Sequence, residues 1–298
     1  MSLPSFAAAD LFGRLHGAVA LVSGGGTGIG LYSARALAAN GAKVYIAGRR
    51  EDKLREAAEV HGTNLEGSLV PIQLDVTSKD QLQKVASEIE AKDGKLHILI
   101  NNSGIAGPRT VIENDDVKDA KAYASKHLGN ESFEDWAGVF QTNVSSIFFS
   151  TMAFLPLLEA GLKNPFREGF TPSVINITSI SGIVKNSQNH FCYNASKSAA
   201  SHLTRMLAHE LNFGHKAAKG IRVNAIAPGL FPSEMTSKGS DRGGVTKPED
   251  VAIQPPNGRV GTPEEMASAV LFLSTNTFMQ GVVLPVDGGW TTAVASSA

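Results

Sequence analysis

Tyr193 and Lys197 stand four positions apart in Tyr-Asn-Ala-Ser-Lys, near the start of a stretch with helical period. On a helix that spacing puts both side chains on one face, one turn apart. A neighbouring ammonium favours tyrosinate and draws the phenol pKa below its usual ~10, toward the range of a working general acid–base. An ordinary helix-surface pair has the same spacing, so the pair needs company before it means chemistry. Hydroxyls precede it in Ile177-Thr178-Ser179-Ile180-Ser181, and far upstream lies Gly24-x-x-x-Gly28-x-Gly30. That cluster follows the apolar run 18–22 and opens a helical stretch, 31–40, which Gly41 stops. Strand, tight turn and helix N-terminus make a cradle for a pyrophosphate: glycines let the backbone approach, and unpaired N–H groups at the positive end of the helix bind it. The spacing differs from the Gly-x-Gly-x-x-Gly of most dinucleotide sites, and three glycines after a strand also fit a plain structural turn.

The elements that would carry these residues alternate along the chain, which argues for βαβ units and a parallel sheet. Strands are expected at 18–22, 43–47, 69–74, 96–100, 173–178, 221–226 and 282–286. Between them fall helices at 31–40, 50–60, 78–91 with Ser78 as N-cap and Gly94 as stop, 133–159 with a bend near Pro156, and 190–213. Thr262-Pro263-Glu264-Glu265 caps a last helix reaching about residue 273. Residues 106–131 are polar without a clear buried face, a surface excursion with one short helix whose charges, Glu113 to Lys126, form a solvated face. Residues 231–257 are rich in Gly, Pro and charge and suggest a mobile lid. No repeat or linker divides residues 1–298, so one domain is expected.

Composition narrows the partners. Hydrophobic residues make up 42% and charged residues 18% of the chain, and 27 basic residues face 28 acidic ones. That balance gives no electrostatic case for nucleic acid or a membrane surface. The one cysteine, Cys192, excludes a disulfide framework or a cysteine metal cluster and reads as a small buried hydrophobe. No unbroken apolar run nears the ~20 residues that span a bilayer, and residues 1–16 lack the basic and apolar regions of a secretion signal, so the cytosol is the expected location. His202, His209 and His215 share roughly one helix face but lack the second histidine of a His-Glu-x-x-His motif, and no metal is expected.

Taken together, the glycine cluster, Asp75, Asn101-Asn102-Ser103-Gly104, Asn143, Ser179, Tyr193-x-x-x-Lys197 and Pro228-Gly229 resemble, in their order, the short-chain dehydrogenase/reductase family. The resemblance spans about residues 14–290. Residues 224–235 and Val286-Asp287-Gly288-Gly289-Trp290 look most like ketoreductases, including fungal members and bacterial 3-oxoacyl reductases. It implies a doubly wound, Rossmann-type sheet of seven mainly parallel strands with helices on both faces. It also implies oxidoreductase chemistry on a small carbonyl or alcohol substrate. By resemblance Tyr193 exchanges a proton with the substrate oxygen, Lys197 tunes Tyr193 and bonds the nicotinamide ribose, Ser179 holds the carbonyl oxygen, and Asn143 positions a water on a proton path. Ser181 stays open as the alternative serine. Ser23, Gly24, Thr27, Gly28, Ile29, Gly30, Asp75, Val76, Asn102, Gly104, Pro228 and Gly229 would hold the cofactor. Ser23 and Ser103 stand where the family has threonine and alanine. The family also pairs its two long helices between subunits, so a homodimer or homotetramer is expected.

Cofactor choice is read from the end of the second strand. An acid about 20 residues past the glycines would bind a ribose 2′-hydroxyl. Here that position is Gly48, followed by Arg49 and Arg50. A guanidinium forks onto a phosphate, so Arg49 points to NADP(H), while Arg50 could simply face solvent. A non-catalytic dinucleotide-binding redox sensor, or an isomerase or cyclase on the same fold, remain the competing functions.

Overall fold

The computed structural model describes residues 7, 11–12, 14–112, 117–214, 218–237 and 255–294. Seven strands, β1 (Val19–Ser23), β2 (Lys43–Gly48), β3 (Ser68–Gln73), β4 (Ile98–Asn101), β5 (Ser173–Ile177), β6 (Arg222–Pro228) and β7 (Val283–Val286), form one sheet. Its order is β3-β2-β1-β4-β5-β6-β7, and every neighbouring pair is parallel. The helices are α1 (Gly28–Ala39), α2 (Glu51–His61), α3 (Lys79–Asp93), α4 (Ala120–Asn130), α5 (Phe133–Phe140), α6 (Ser146–Lys163), α7 (Phe191–His209), α8 (Pro263–Thr275) and the short α9 (Trp290–Ala293).

Strands β1, β4, β5 and β6 are buried along their whole length, as parallel strands covered on both faces must be. Alternate residues feed two separate cores. Ala20, Val22, Ile100 and Ile175 pack with Leu31 and Leu37 of α1, Leu54 of α2 and Val270 of α8. Val19, Leu21, Leu99 and Val174 pack with Ile89 of α3, Phe154 and Leu158 of α6 and Leu207 of α7. The expected helix ends appear: Ser78 accepts the Gln81 N–H, Gly94 closes α3 at φ +67°, and Thr262 with Glu265 forms a full capping box.

The chain winds outward from β1 to β3 on one side, then α3 returns it to β4 on the other side of β1. Loops leaving β1 and β4 therefore part company, and a crevice opens at the carboxyl ends of these strands.

Two expectations are corrected. The helix from residue 133 is not one rod bent at Pro156. A π turn (Gln141–Ser145) interrupts it, and α6 continues through Pro156 to Lys163. This run, Phe133–Lys163, is long and apolar enough by length and composition to cross a bilayer, with a mean hydropathy of 1.4 over 18 residues. Phe154, Leu157 and Leu158 nevertheless turn from it into the core. The second correction is α7, which ends at His209 in a further π turn, Glu210–Gly214. Of the proposed lid, residues 238–254 lie outside the described residues, as do residues 113–116 of the 106–131 segment and His215.

Candidate active site

The crevice is a cleft of about 700 Å³. Its floor is the glycine turn. Gly28 takes φ +49°, which a side chain disfavours. Gly30 lets the turn close on itself, since a Cβ there would fall 2.1 Å from the Gly24 carbonyl oxygen. The helix that follows has no side-chain cap, a feature it shares with α2, α6, α7 and α9. Ser78, Asp119, Ser132 and Thr262 each cap their helix through a side chain, whereas Thr27 makes no capping bond and the first turn of α1 carries no acid. The positive end of α1 is thus left to the cleft, which suits a pyrophosphate.

The predicted cofactor residues Gly24, Thr27, Gly28, Ile29, Arg49, Asp75, Val76, Asn102, Gly104, Pro228 and Gly229 all line this cleft. Two others act from behind it. The Ser23 hydroxyl accepts the N–H groups of Asn102 (3.0 Å) and Ser103 (3.1 Å), locking the end of β1 to the end of β4. Gly30 is required by the close approach just described. Both shape the cradle rather than line it. Asn102 continues the lock, its amide donating to the carbonyls of Ser23 and Gly24. Bonds from the Thr77 hydroxyl and N–H hold the Asp75 carboxyl below the usual carboxylate range.

At the other end of the cleft stand Ser179, Tyr193 and Lys197. Tyr193 shares a hydrogen bond with Ser179, whose oxygen also accepts the Ser181 N–H at 3.1 Å. Ser181 itself donates to Gln188 and does not line the cleft, so of the two serines only Ser179 meets the tyrosine. Lys197 donates from Nζ to the Ile177 carbonyl at 2.9 Å, and Nζ lies 5.7 Å from the Tyr193 ring centroid.

The expected fall in the tyrosine pKa is not what this geometry gives. Burial raises Tyr193, and the Ser179 hydrogen bond only partly opposes it. Burial also lowers Lys197 to about 8. Lys197 is buried and Tyr193 half-buried at the wall of the cleft, which penalises ammonium and tyrosinate alike, so desolvation outweighs the attraction that spacing suggested.

Asn143 sits in the π turn, buried one layer behind the cleft. Its amide donates to the Ile105 carbonyl (2.9 Å) and the Ser196 hydroxyl (3.0 Å), while its carbonyl accepts the Ile105 N–H (2.9 Å). Both amide hydrogens are engaged, so the side chain ties the loop after β4 to α7. The π turn itself is irregular helix of the kind found at functional sites.

Sequence reasoning missed three parts of the site. Ser233, Glu234, Met235 and Thr236 line the cleft from the segment after β6, and Lys53 with Leu54 does so from α2. Their signal was weak, because nothing in Pro232-Ser233-Glu234-Met235 separates a wall from a lid. Arg50 also lines the cleft, paired with Glu234, and does not simply face solvent. The third part is the 106–131 segment, which is more than a solvated excursion. Glu131 accepts hydrogen bonds from Thr110 Oγ1 and Trp136 Nε1 and pairs with His127 Nδ1, each at 2.9 Å. The Thr110 N–H donates to the Asn189 carbonyl, in the loop just before Tyr193.

Known proteins resemble this chain over most of its length. The family profile described as enoyl-(acyl carrier protein) reductase matches residues 24–291. The short-chain dehydrogenase/reductase VdtF of Byssochlamys spectabilis is 36% identical, covering 97% of each chain. The rhamnolipids biosynthesis 3-oxoacyl-[acyl-carrier-protein] reductase of Pseudomonas aeruginosa is 34% identical over 93% of this chain and 97% of its own. Among solved structures, the Pseudomonas aeruginosa RhlG/NADP active-site complex superposes with a TM-score of 0.76 at 32% identity, covering 94% of this chain and 98% of that one. With the profile spanning the crevice from the glycine turn to the strand β7, the chain belongs to the short-chain dehydrogenase/reductase family of oxidoreductases.

Proposed function

We propose that this protein reduces a ketone to a secondary alcohol, or runs the reverse reaction, with NADP(H) and with Tyr193 as the proton donor or acceptor. The observation that carries the proposal is one cleft with an uncapped glycine turn and Arg49 at one end and Ser179, Tyr193 and Lys197 at the other. Bound between those ends, a nicotinamide dinucleotide supplies or takes up the hydride. The rest falls to the chain. Negative charge builds on the carbonyl oxygen during reduction, and the Ser179 and Tyr193 hydroxyls donate to it while Tyr193 delivers its proton. Tyr193, raised above its ordinary pKa by burial, carries at neutral pH the proton that reduction consumes. Lys197, fixed by Ile177, stabilises the tyrosinate that remains. Similarity to a 3-oxoacyl reductase and to an NADP complex supports both the substrate class and the cofactor.

The test is NADPH consumption over a panel of acyl thioesters, cyclic ketones and sugars, repeated with Tyr193→Phe. That variant keeps the ring and loses only the hydroxyl, so kcat should fall roughly 10²–10⁴-fold with the fold intact. Near-full activity would sink the assignment. On the cofactor side, Arg49→Ala should raise KM for NADPH far more than for NADH. Equal use of both by the unmodified protein speaks against NADP(H).

A further inference from the structure

The cleft is crossed at its β2 end by an ion pair. Arg50 Nη2 donates to Glu234 Oε2 at 2.6 Å, with Nη1 3.5 Å from Oε1. Arg50 stands at the N-cap position of α2 without a side-chain capping bond, and Glu234 belongs to the strap 231–237 that leaves β6. The strap is built rather than loose. Phe231 is buried in the core, Tyr32 donates its hydroxyl to the Pro232 carbonyl, and the Thr236 hydroxyl donates to the Phe231 carbonyl while accepting the Ser233 N–H. It also sits directly on the glycine turn: a Cβ on Gly28 would fall 2.9 Å from Ser233 Cβ. The pair therefore joins the end of β2, where a dinucleotide's adenosine ribose would lie, to a strap that roofs the phosphate cradle.

A guanidinium presents the same fork to a carboxylate and to a phosphate monoester. A carboxylate carries one negative charge and a phosphate monoester about 1.5 to 2 near neutral pH. A 2′-phosphate is thus a stronger partner for Arg50 than Glu234, whereas a 2′-hydroxyl is a weaker one. Resting on the NADP(H) reading, we propose that Glu234 is a specificity-determining residue: an internal counter-ion that holds Arg50 across the cleft and that a 2′-phosphate must displace. A dinucleotide lacking that phosphate leaves the pair closed. One carrying it takes Arg50 over and repels the Glu234 carboxylate, releasing the end of the strap. Glu234 thereby weakens binding of the phosphorylated cofactor below what the arginines alone would give.

The experiment is calorimetric titration of adenosine 2′,5′-bisphosphate and of AMP, which lacks only the 2′-phosphate, into the unmodified protein, Glu234→Gln, Arg50→Gln and the double variant. Both side chains are partly exposed (56% for Arg50, 30% for Glu234), so the substitutions leave the core untouched, and thermal melts confirm folding. Glu234→Gln should tighten the bisphosphate about 3- to 10-fold, by removing a competing ion pair and a like charge, and should leave AMP unchanged within about twofold. The gain should vanish when Arg50 is already glutamine. An unchanged or weaker bisphosphate affinity in Glu234→Gln overturns the proposal, as does a gain that persists without Arg50. If the unmodified protein binds the two probes equally, the NADP(H) reading falls instead, and the Arg50-dependence of the Glu234→Gln effect is still scored on its own.

Discussion

The pKa directions of Tyr193 and Lys197 set a pH dependence that their spacing alone would have misjudged. A lysine lowered to about 8 by burial is charged below that pH and neutral above it. Tyr193, raised by the same burial, keeps its proton through this range. On the proposed mechanism, the site below pH 8 holds a neutral donor beside a cation; above it, the cation that would stabilise the developing tyrosinate is lost. For reduction, kcat/KM should be level toward neutral pH and fall with a single-proton limb near pH 8, a free-enzyme property. Lys197→Arg retains a charge that does not titrate in this range, so its lower activity should show no such limb. A limb that stays near pH 8 in Lys197→Arg would mean another group titrates. The sequence made the pair legible because Tyr-x-x-x-Lys on a helix forces a common face. Burial was not legible there, since it comes from β5, the Ser179 turn and the loop after β4, all far away in the chain.

At the scale of elements, the 106–131 segment was the least readable part and carries the next prediction. Its helix α4 has no buried residue, so no apolar period could reveal what anchors it. The anchor is polar. Burial pushes the Glu131 carboxyl up, but hydrogen bonds from His127, Trp136 and Thr110 outweigh that and hold it below the usual range. His127 also packs edge-on against Phe191, the first residue of α7, with ring centroids 5.3 Å apart. Removing Glu131 leaves Trp136 Nε1 and the Thr110 hydroxyl without their acceptor, at about 1–3 kcal/mol for a buried polar group. Glu131→Ala should therefore lower Tm by roughly 3–8 °C. Because Thr110 bonds to Asn189 beside the catalytic end of the cleft, KM for the carbonyl substrate should rise while KM for NADPH stays put. A parallel rise in both constants would show the clamp supports the whole cleft rather than its substrate end. The regular elements were legible for the opposite reason: parallel strands buried on both faces are continuous apolar runs, and α3 and α8 announce their ends with Ser78, Gly94 and Thr262. The π turn was not. Residues 141–145 continue the helical pattern on both sides, and the bonds that Asn143 makes from the π turn go to Ile105 and Ser196, far away in the chain.

For the whole molecule, the question is what covers the outside of α6 and α7, which lie on the same face of the sheet. Large apolar side chains scattered singly over a surface need no account, but several on two helices of one face do. On α6, Phe148 is 41% exposed and Phe149 37% exposed; on α7, Met206 is 51% exposed. Phe149 already has company, since Lys79 Nζ lies 4.5 Å from its ring centroid. Phe191 at the start of α7 packs against His127, and Phe148 and Met206 are apolar points that a second copy could cover. Pairing helices of one protomer with the same helices of another is isologous and closes on itself, so it yields dimers, or tetramers if a second such face exists. We expect a dimer or tetramer by light scattering at micromolar concentration. Phe148→Glu with Met206→Glu places charges on each side of that two-fold contact and should shift the population toward smaller species, with far-UV circular dichroism unchanged because neither side chain enters the core. If the unmodified protein scatters as a monomer, these helices are simply an apolar surface. If the double variant keeps its full size, the copies meet through another face.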